Sequence, residues 1–193
     1  MRTNPTLSPV HGDGRLVTLP EPLEEMADGR LRYNGYGYPT ELLMRPQTDI
    51  AIYSPDNHLV LVVEVKGGKQ SKSDAAAQLR RNLLVHGLLP ISPYFLLAYQ
   101  TNLFLWRSGS ELLAPPQFTA PAKPVLQDYL RSAAGGESLV GEESLQLALV
   151  SWLSDLASDV RSPQPSSEAD EMIVQSGLYD LIKHGEVKSE IAL

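Results

Sequence analysis

The sequence predicts an α/β fold in which two β-hairpins are joined by one helix and followed by a helical segment. Three observations carry this. Two β-branched, apolar runs, TDIAIY from Thr48 and HLVLVVEVK ending at Lys66, flank the turn-forming Ser54-Pro55-Asp56-Asn57. A helical pattern then runs to about His86 and stops at Gly87. Two further apolar runs, YFLLAY from Tyr94 and LFLWR from Leu103, are separated by only Gln100-Thr101-Asn102.

The first twenty residues are rich in Pro, Gly, Ser and Thr and show little periodicity, as expected of an arm or an edge strand. Glu21 to Asp28 fits one short helix, with Pro22 near its start and Gly29 just past its end. Tyr33 to Tyr38 follows, and Pro39 argues against a long helix there. After the Thr48–Lys66 hairpin, Gly67-Gly68 end the strand and Ser71 or Ser73 can cap the helix. Leu79 and Leu83, with Ala75 and Ala76, form its core-facing stripe. In the second hairpin Phe104 and Trp106 are expected in the core. Residues 113–124 contain four prolines and read as a linker, so the core is assigned to 1–112 and an acidic helical appendage to 125–193. Its helices are placed near Val125–Arg131, Leu145–Ala157 and Glu168–Lys183. Leu145, Leu149, Trp152, Leu153 and Leu156 fall on one face, which is expected to pack on the core, with dimerisation or partner docking as the lesser alternative.

Composition narrows the function. The chain has 193 residues and no cysteine, which excludes disulfides, Cys-ligated zinc, iron–sulfur clusters and thiol nucleophiles. No apolar run approaches the roughly 20 residues of a membrane span, and the N-terminus has no export pattern, so a cytoplasmic location is expected. The net charge of −7 disfavours a nucleic-acid partner taken as a whole. Its distribution is uneven: −1 over residues 1–40, +2 over 41–110 and −8 over 111–193. The middle segment carries Lys66, Lys69, Lys72, Arg80 and Arg81, either a nucleic-acid-binding run or an ordinary solvated face.

Chemistry concentrates at the end of the first hairpin. Side chains alternate along a strand, so Glu64 and Lys66 share a face. A two- or four-residue loop sets Asp49 opposite Val62 and diagonal to Glu64 on that same face, at roughly 5–8 Å. A three- or five-residue loop would turn Asp49 away. Two carboxylates and a lysine converging beside apolar strands suit an oxygen-preferring cation, Mg²⁺ or Mn²⁺. The chemistry that follows is phosphodiester hydrolysis, with Lys66 orienting or helping to deprotonate the attacking water and contacting the phosphate. The structural alternative is Lys66 salt-bridged to the two acids at a sheet rim. Glu-x-Lys alone is weak: Glu186-Val187-Lys188 repeats it in what reads as a surface segment without a hairpin.

The block from Arg45 through Gly68, with DAAAQLRRNLL and YFLLAY, resembles the PD-(D/E)xK restriction-endonuclease-like superfamily, most of all the N-terminal nuclease domains of type I restriction enzyme R subunits. The resemblance covers about residues 41–107 and implies an αβββαβ core with a mixed sheet. It implies a metal-dependent endonuclease acting on DNA, in restriction, repair or mobile-element defence. Carried onto this chain, it makes Asp49, Glu64 and Lys66 catalytic, joined by Gln78, and gives the metal Asp49, Glu64 and the Val65 carbonyl. The upstream Glu is matched by Glu24, Glu25 or Glu41, of which Glu41 stands closest to the core and is the further candidate metal ligand. Two positions depart from the pattern: Thr48 replaces the usual Pro and Asn82 the Tyr of Gln-x-x-x-Tyr. The competing expectation is a nuclease-derived binding or assembly module without turnover.

Overall fold

The computed structural model describes residues 24–25, 31–32, 48–69, 72–130 and 141–189, and divides the chain into a unit of residues 1–45 and one of 46–193. In the first unit Glu24–Glu25 (β1) pairs antiparallel with Leu31–Arg32 (β2). The helix expected at Glu21–Asp28 is therefore corrected to include a strand. Eight residues bounded by Pro and Gly gain too few hydrogen bonds to offset helix nucleation. Glu41, Ser71 and Tyr33–Tyr38 lie outside the described residues.

The second unit is a three-layer α/β arrangement built on a six-stranded mixed sheet. Its strands are Ile50–Tyr53 (β3), Leu59–Val65 (β4), Tyr94–Ala98 (β5), Asn102–Arg107 (β6), Phe118–Pro121 (β7) and Glu186–Ser189 (β8), in the order β7-β6-β5-β4-β3-β8. Only the β4–β5 contact is parallel, as a crossover helix between two strands allows. That helix, Ser73–Val85 (α1), covers one face with Ala76 and Ala77 against Val62, Phe95, Leu97, Phe104 and Trp106. Gly87, at φ 63°, stops it as expected, but Lys72 rather than a serine stands at the N-cap, and the buried stripe runs through Ala77 with Ala75 exposed.

The alternate residues of the same strands, Ile50, Ile52, Leu61, Val63, Val65, Leu96, Ala98, Leu103 and Leu105, face the other side. There they pack on Lys123–Leu130 (α2), Glu142–Ala157 (α3), Glu168–Gln175 (α4) and Leu178–Ile182 (α5). Leu145, Leu149, Trp152, Leu153 and Leu156 are all buried in this layer. The expected linker and appendage are thus not separate units: Phe118–Pro121 is an edge strand, and the helices of 125–189 form the second layer of a shared core. The acidic composition misled because, Asp170 apart, the described acids of the segment are not part of its buried core. The single helix expected at Glu168–Lys183 is two, broken by Gly177 at φ 73°. No helix among the described residues is long and apolar enough to cross a membrane.

Two contacts in this layer make testable predictions. The Tyr129 hydroxyl donates to Asp155 Oδ2 at 2.8 Å, and burial, that hydrogen bond and the Asp155 charge push the phenol up to about 12. In a spectrophotometric titration Tyr129 should remain protonated at about pH 11, above the ordinary value near 10, and Asp155→Ala should bring this late step down without abolishing it, because burial remains. Because the folded value is the higher one, the stabilisation is complete below the unfolded value and is lost as pH rises through the folded one. The second contact is at Gly185, whose added Cβ would stand 2.0 Å from the Tyr53 carbonyl oxygen and 2.8 Å from that of Ile182. Main-chain atoms cannot yield locally, so Gly185→Ala should destabilise by about 1–3 kcal/mol in denaturant unfolding. It should also speed amide exchange along β3, because β8 loses its seat.

Candidate functional site

The geometry of the first hairpin decides where the acidic residues point. The loop is not even-numbered. Asn57 N donates to Ser54 O and Ser54 N to His58 O, each at 2.8 Å, which encloses the three-residue loop Pro55-Asp56-Asn57 with Asn57 at φ 61°. This is the loop length expected to turn Asp49 away. A second irregularity cancels it: Tyr53 faces Leu59 while Ile52 faces Leu61, so Val60 is an extra, bulged residue on β4. Past the bulge Ile50 faces Val63 and Ala51 faces Val62, which sets Asp49, one step beyond the ladder, across from Glu64 rather than diagonal to it.

Asp49, Glu64 and Lys66 therefore gather at the end of β3 and β4, on the α1 face of the sheet. Asp49 Oδ2 accepts the Val65 amide at 2.6 Å. Lys66 Nζ pairs with Glu64 Oε1 at 2.6 Å. Thr48 has a specific use that its replacement of Pro concealed: its hydroxyl lies 3.0 Å from the Val63 carbonyl and 3.1 Å from that of Ile50, bridging the two strands just before Asp49. Lys66 N donates to Ala98 O at 2.9 Å, so β5 anchors the far side of the site.

The electrostatics follow from burial and crowding. Burial chiefly pushes the Glu64 carboxyl up, and the charges of Asp49 and Glu142 add to this against the opposing pull of Lys66. Burial pulls the Lys66 ammonium down, but the hydrogen bond and charge of Glu64, then Asp49 and Glu142, more than offset it and raise the ammonium. Glu64 is the more deeply buried partner, with a side chain 12% exposed against 34% for Lys66, which is why burial wins only for the acid.

Glu142 was not expected here. It is the first residue of α3, and its Oε2 accepts the Gly67 amide at 2.7 Å. Nothing in its local sequence, Gly-Glu-Glu-Ser, separates it from an ordinary acidic first turn, and it lies seventy-five residues from its partner. Gln146, one turn further on, donates through Nε2 to the Asp49 carbonyl at 2.8 Å and to Ser189 Oγ at 3.1 Å.

Other expected site residues go elsewhere. Gln78 is exposed on α1 and donates to Asn82 Oδ1 at 3.1 Å, one helical turn on. Arg80 is corrected: it is 5% exposed, donates through Nη1 to Glu111 O at 3.0 Å and lies 5.5 Å from the Trp106 ring centroid. A guanidinium buried over the Trp106 ring serves packing, not phosphate. Lys69 and Lys72 are exposed and Arg81 half-buried. The second Glu-x-Lys lies at the surface outside any hairpin, as expected, but on a strand, since Glu186 to Ser189 flanks β3 opposite β4. Glu186 and Lys188 pair at 3.1 Å with both side chains exposed, and Lys188 lies 4.7 Å from the Tyr53 ring centroid.

Asp49 and Glu64 offer hard oxygen donors, and a divalent cation would relieve both the burial that chiefly raises Glu64 and the repulsion from Asp49 that adds to it. Among the described residues no three His, Cys, Asp or Glu side chains form a ready ligand group. Mg²⁺ does not require one, because it keeps several waters and is commonly held by one or two carboxylates together with substrate phosphate. Comparison with protein-family models, with curated proteins and with solved structures found no match to this chain.

Proposed function

We propose that the chain is a metal-dependent nuclease that hydrolyses DNA phosphodiester bonds, on a restriction-endonuclease-like core of the PD-(D/E)xK type. The observation that carries this reading is the convergence of Asp49, Glu64 and Lys66 at one sheet end, produced by two irregularities of the hairpin that cancel. Asp49 and Glu64 would hold Mg²⁺ or Mn²⁺, with the Val65 carbonyl as a further oxygen donor. A cation bound there supplies Lewis acidity and charge neutralisation at the phosphate. Lys66, held by Glu64, would orient the attacking water and donate to a phosphate oxygen. The Asp49 carboxylate is fixed by the Val65 amide, so its second oxygen keeps its direction without reorganisation.

A plasmid-cleavage assay with the pure protein, in Mg²⁺ or Mn²⁺ against EDTA, tests the reading. Metal-dependent nicking or linearisation is expected, and no cleavage of any DNA or RNA form would overturn it. Binding should respond to salt through the exposed cations: Lys69→Ala is expected to weaken DNA binding and reduce the slope of log K against log salt by about 1.

One observation favours a second reading, a nuclease-derived binding or assembly module without turnover. Both carboxylates already have protein partners, Lys66 for Glu64 and the Val65 amide for Asp49, and Arg80 is withdrawn from the basic run. That reading expects partner binding that needs no metal and is unaffected by Glu64→Ala.

A further inference from the structure

We propose that Glu142 and Gln146, on the first two turns of α3, are positioning residues that hold the strand ends carrying Asp49 and Lys66 in working register. This rests on the nuclease reading of the same site and extends it to a helix outside the segment that resembles nucleases.

The ladder between β3 and β4 has its last pair at Ile50 and Val63, so Asp49 and the Glu64–Gly67 end are not held together by strand pairing. What stands in its place is the Asp49 Oδ2 bond to the Val65 amide and the Thr48 hydroxyl at the Val63 carbonyl, joined by two contacts from α3. Gln146 donates to the Asp49 carbonyl, and Glu142 accepts the Gly67 amide next to Lys66. The two side chains are four residues apart and so occupy neighbouring places on one helix face. Gln146 is 6% exposed in a helix whose other inward positions are apolar, among them Leu145, Ala148 and Leu149. A buried amide there adds less to stability than a leucine would unless its hydrogen bonds matter, and both of its contacts are to the edge of this site. Gly67 completes the arrangement, since an added Cβ would lie 3.2 Å from Glu142 Oε2 and crowd the carboxylate that reaches the amide. Displacements on the order of 1 Å in a reacting group can cost about 10²-fold in rate, which is the scale at which such a clamp acts.

The test compares Glu142→Ala with Glu142→Gln in the full chain. Glu142 is exposed, so both variants should fold. Glu142→Gln keeps an oxygen that can accept the Gly67 amide but removes the charge. For DNA cleavage with Mg²⁺, Glu142→Ala should lower kcat by about 10- to 100-fold with KM for DNA nearly unchanged, and Glu142→Gln should restore most of it. Independently of activity, exchange of the Gly67 amide followed by NMR should accelerate in Glu142→Ala and stay near wild type in Glu142→Gln. Wild-type kcat in Glu142→Ala would overturn the assignment while leaving the nuclease reading intact. Equal damage in both variants would also overturn it, because the effect would then belong to the charge. A wild-type protein that cuts nothing overturns the nuclease reading and this assignment together.

Discussion

Glu64→Ala is expected to lower metal-dependent cleavage by about 10³-fold or more, on the scale of deleting one preorganised group from an active site. Lys66→Ala should also cost at least about 10²-fold, yet the two variants should part company in metal binding. Glu64 supplies an oxygen donor, so its removal should weaken Mn²⁺ binding measured by calorimetry. Lys66 is the positive charge now compensating Glu64 and, more distantly, Asp49 and Glu142. Its removal should tighten Mn²⁺ binding even as turnover falls. Glu64→Gln gives the control for folding. The native carboxyl is raised mainly by burial, so its ionised form is a burden on the fold at neutral pH, and stability should improve as pH falls through the folded value toward the unfolded one. The Gln variant should therefore melt at or above the wild-type temperature while being inactive. Parallel losses of activity and melting temperature in all three variants would sink the catalytic assignment.

What the sequence made legible was local. The Thr48–Lys66 and Tyr94–Arg107 hairpins and the helix ending at Gly87 were readable because their apolar periods and turn residues lie within a few positions of one another. The gathering of Asp49 with Glu64 was readable for an incomplete reason. Parity was argued from an even loop, whereas the chain uses an odd loop and a bulge at Val60, and a bulge leaves no mark in a run as uniform as Leu59 to Val63. Arg80 shows the opposite limit. Its charge suggested a surface role, and only Trp106, twenty-six residues on, explains why it is buried. The contributions of Glu142, Gln146 and β8 depend on long-range packing. A proline-rich stretch reads as a boundary by composition, although Phe118–Pro121 accommodates its proline at the last position of an edge strand.

The helical layer that delivers Glu142 is itself fixed by one buried acid, and Asp170→Ala is expected to cost about 3–5 kcal/mol, the scale of breaking a buried ion pair by removing one partner. Asp170 is fully buried at the start of α4. It accepts Trp152 Nε1 and the Gln164 amide, each at 2.8 Å, and pairs with Arg161 Nη2, so a single carboxylate ties α3, α4 and the connection between them. Arg161 Nη1 is buried without a hydrogen-bond partner, so loss of Asp170 leaves its guanidinium with little to replace the charge. For a chain of this size the melting temperature should fall by roughly 10 °C, since each 1 kcal/mol corresponds to about 2–4 °C. The cost comes chiefly from the stranded charge rather than from a net-favourable pair. The double variant Asp170→Leu with Arg161→Met should therefore be more stable than Asp170→Ala alone, short of wild type by what Trp152 and Gln164 lose. Thermal and urea unfolding of the two variants distinguish the cases, and a double variant no better than the single one would show that the hydrogen bonds to Trp152 and Gln164, not the ion pair, hold the layer together. In wild type the same measurement sets how firmly α3 presents Glu142 and Gln146 to the sheet end, because the first turn of that helix is held in place by the packing of its remainder.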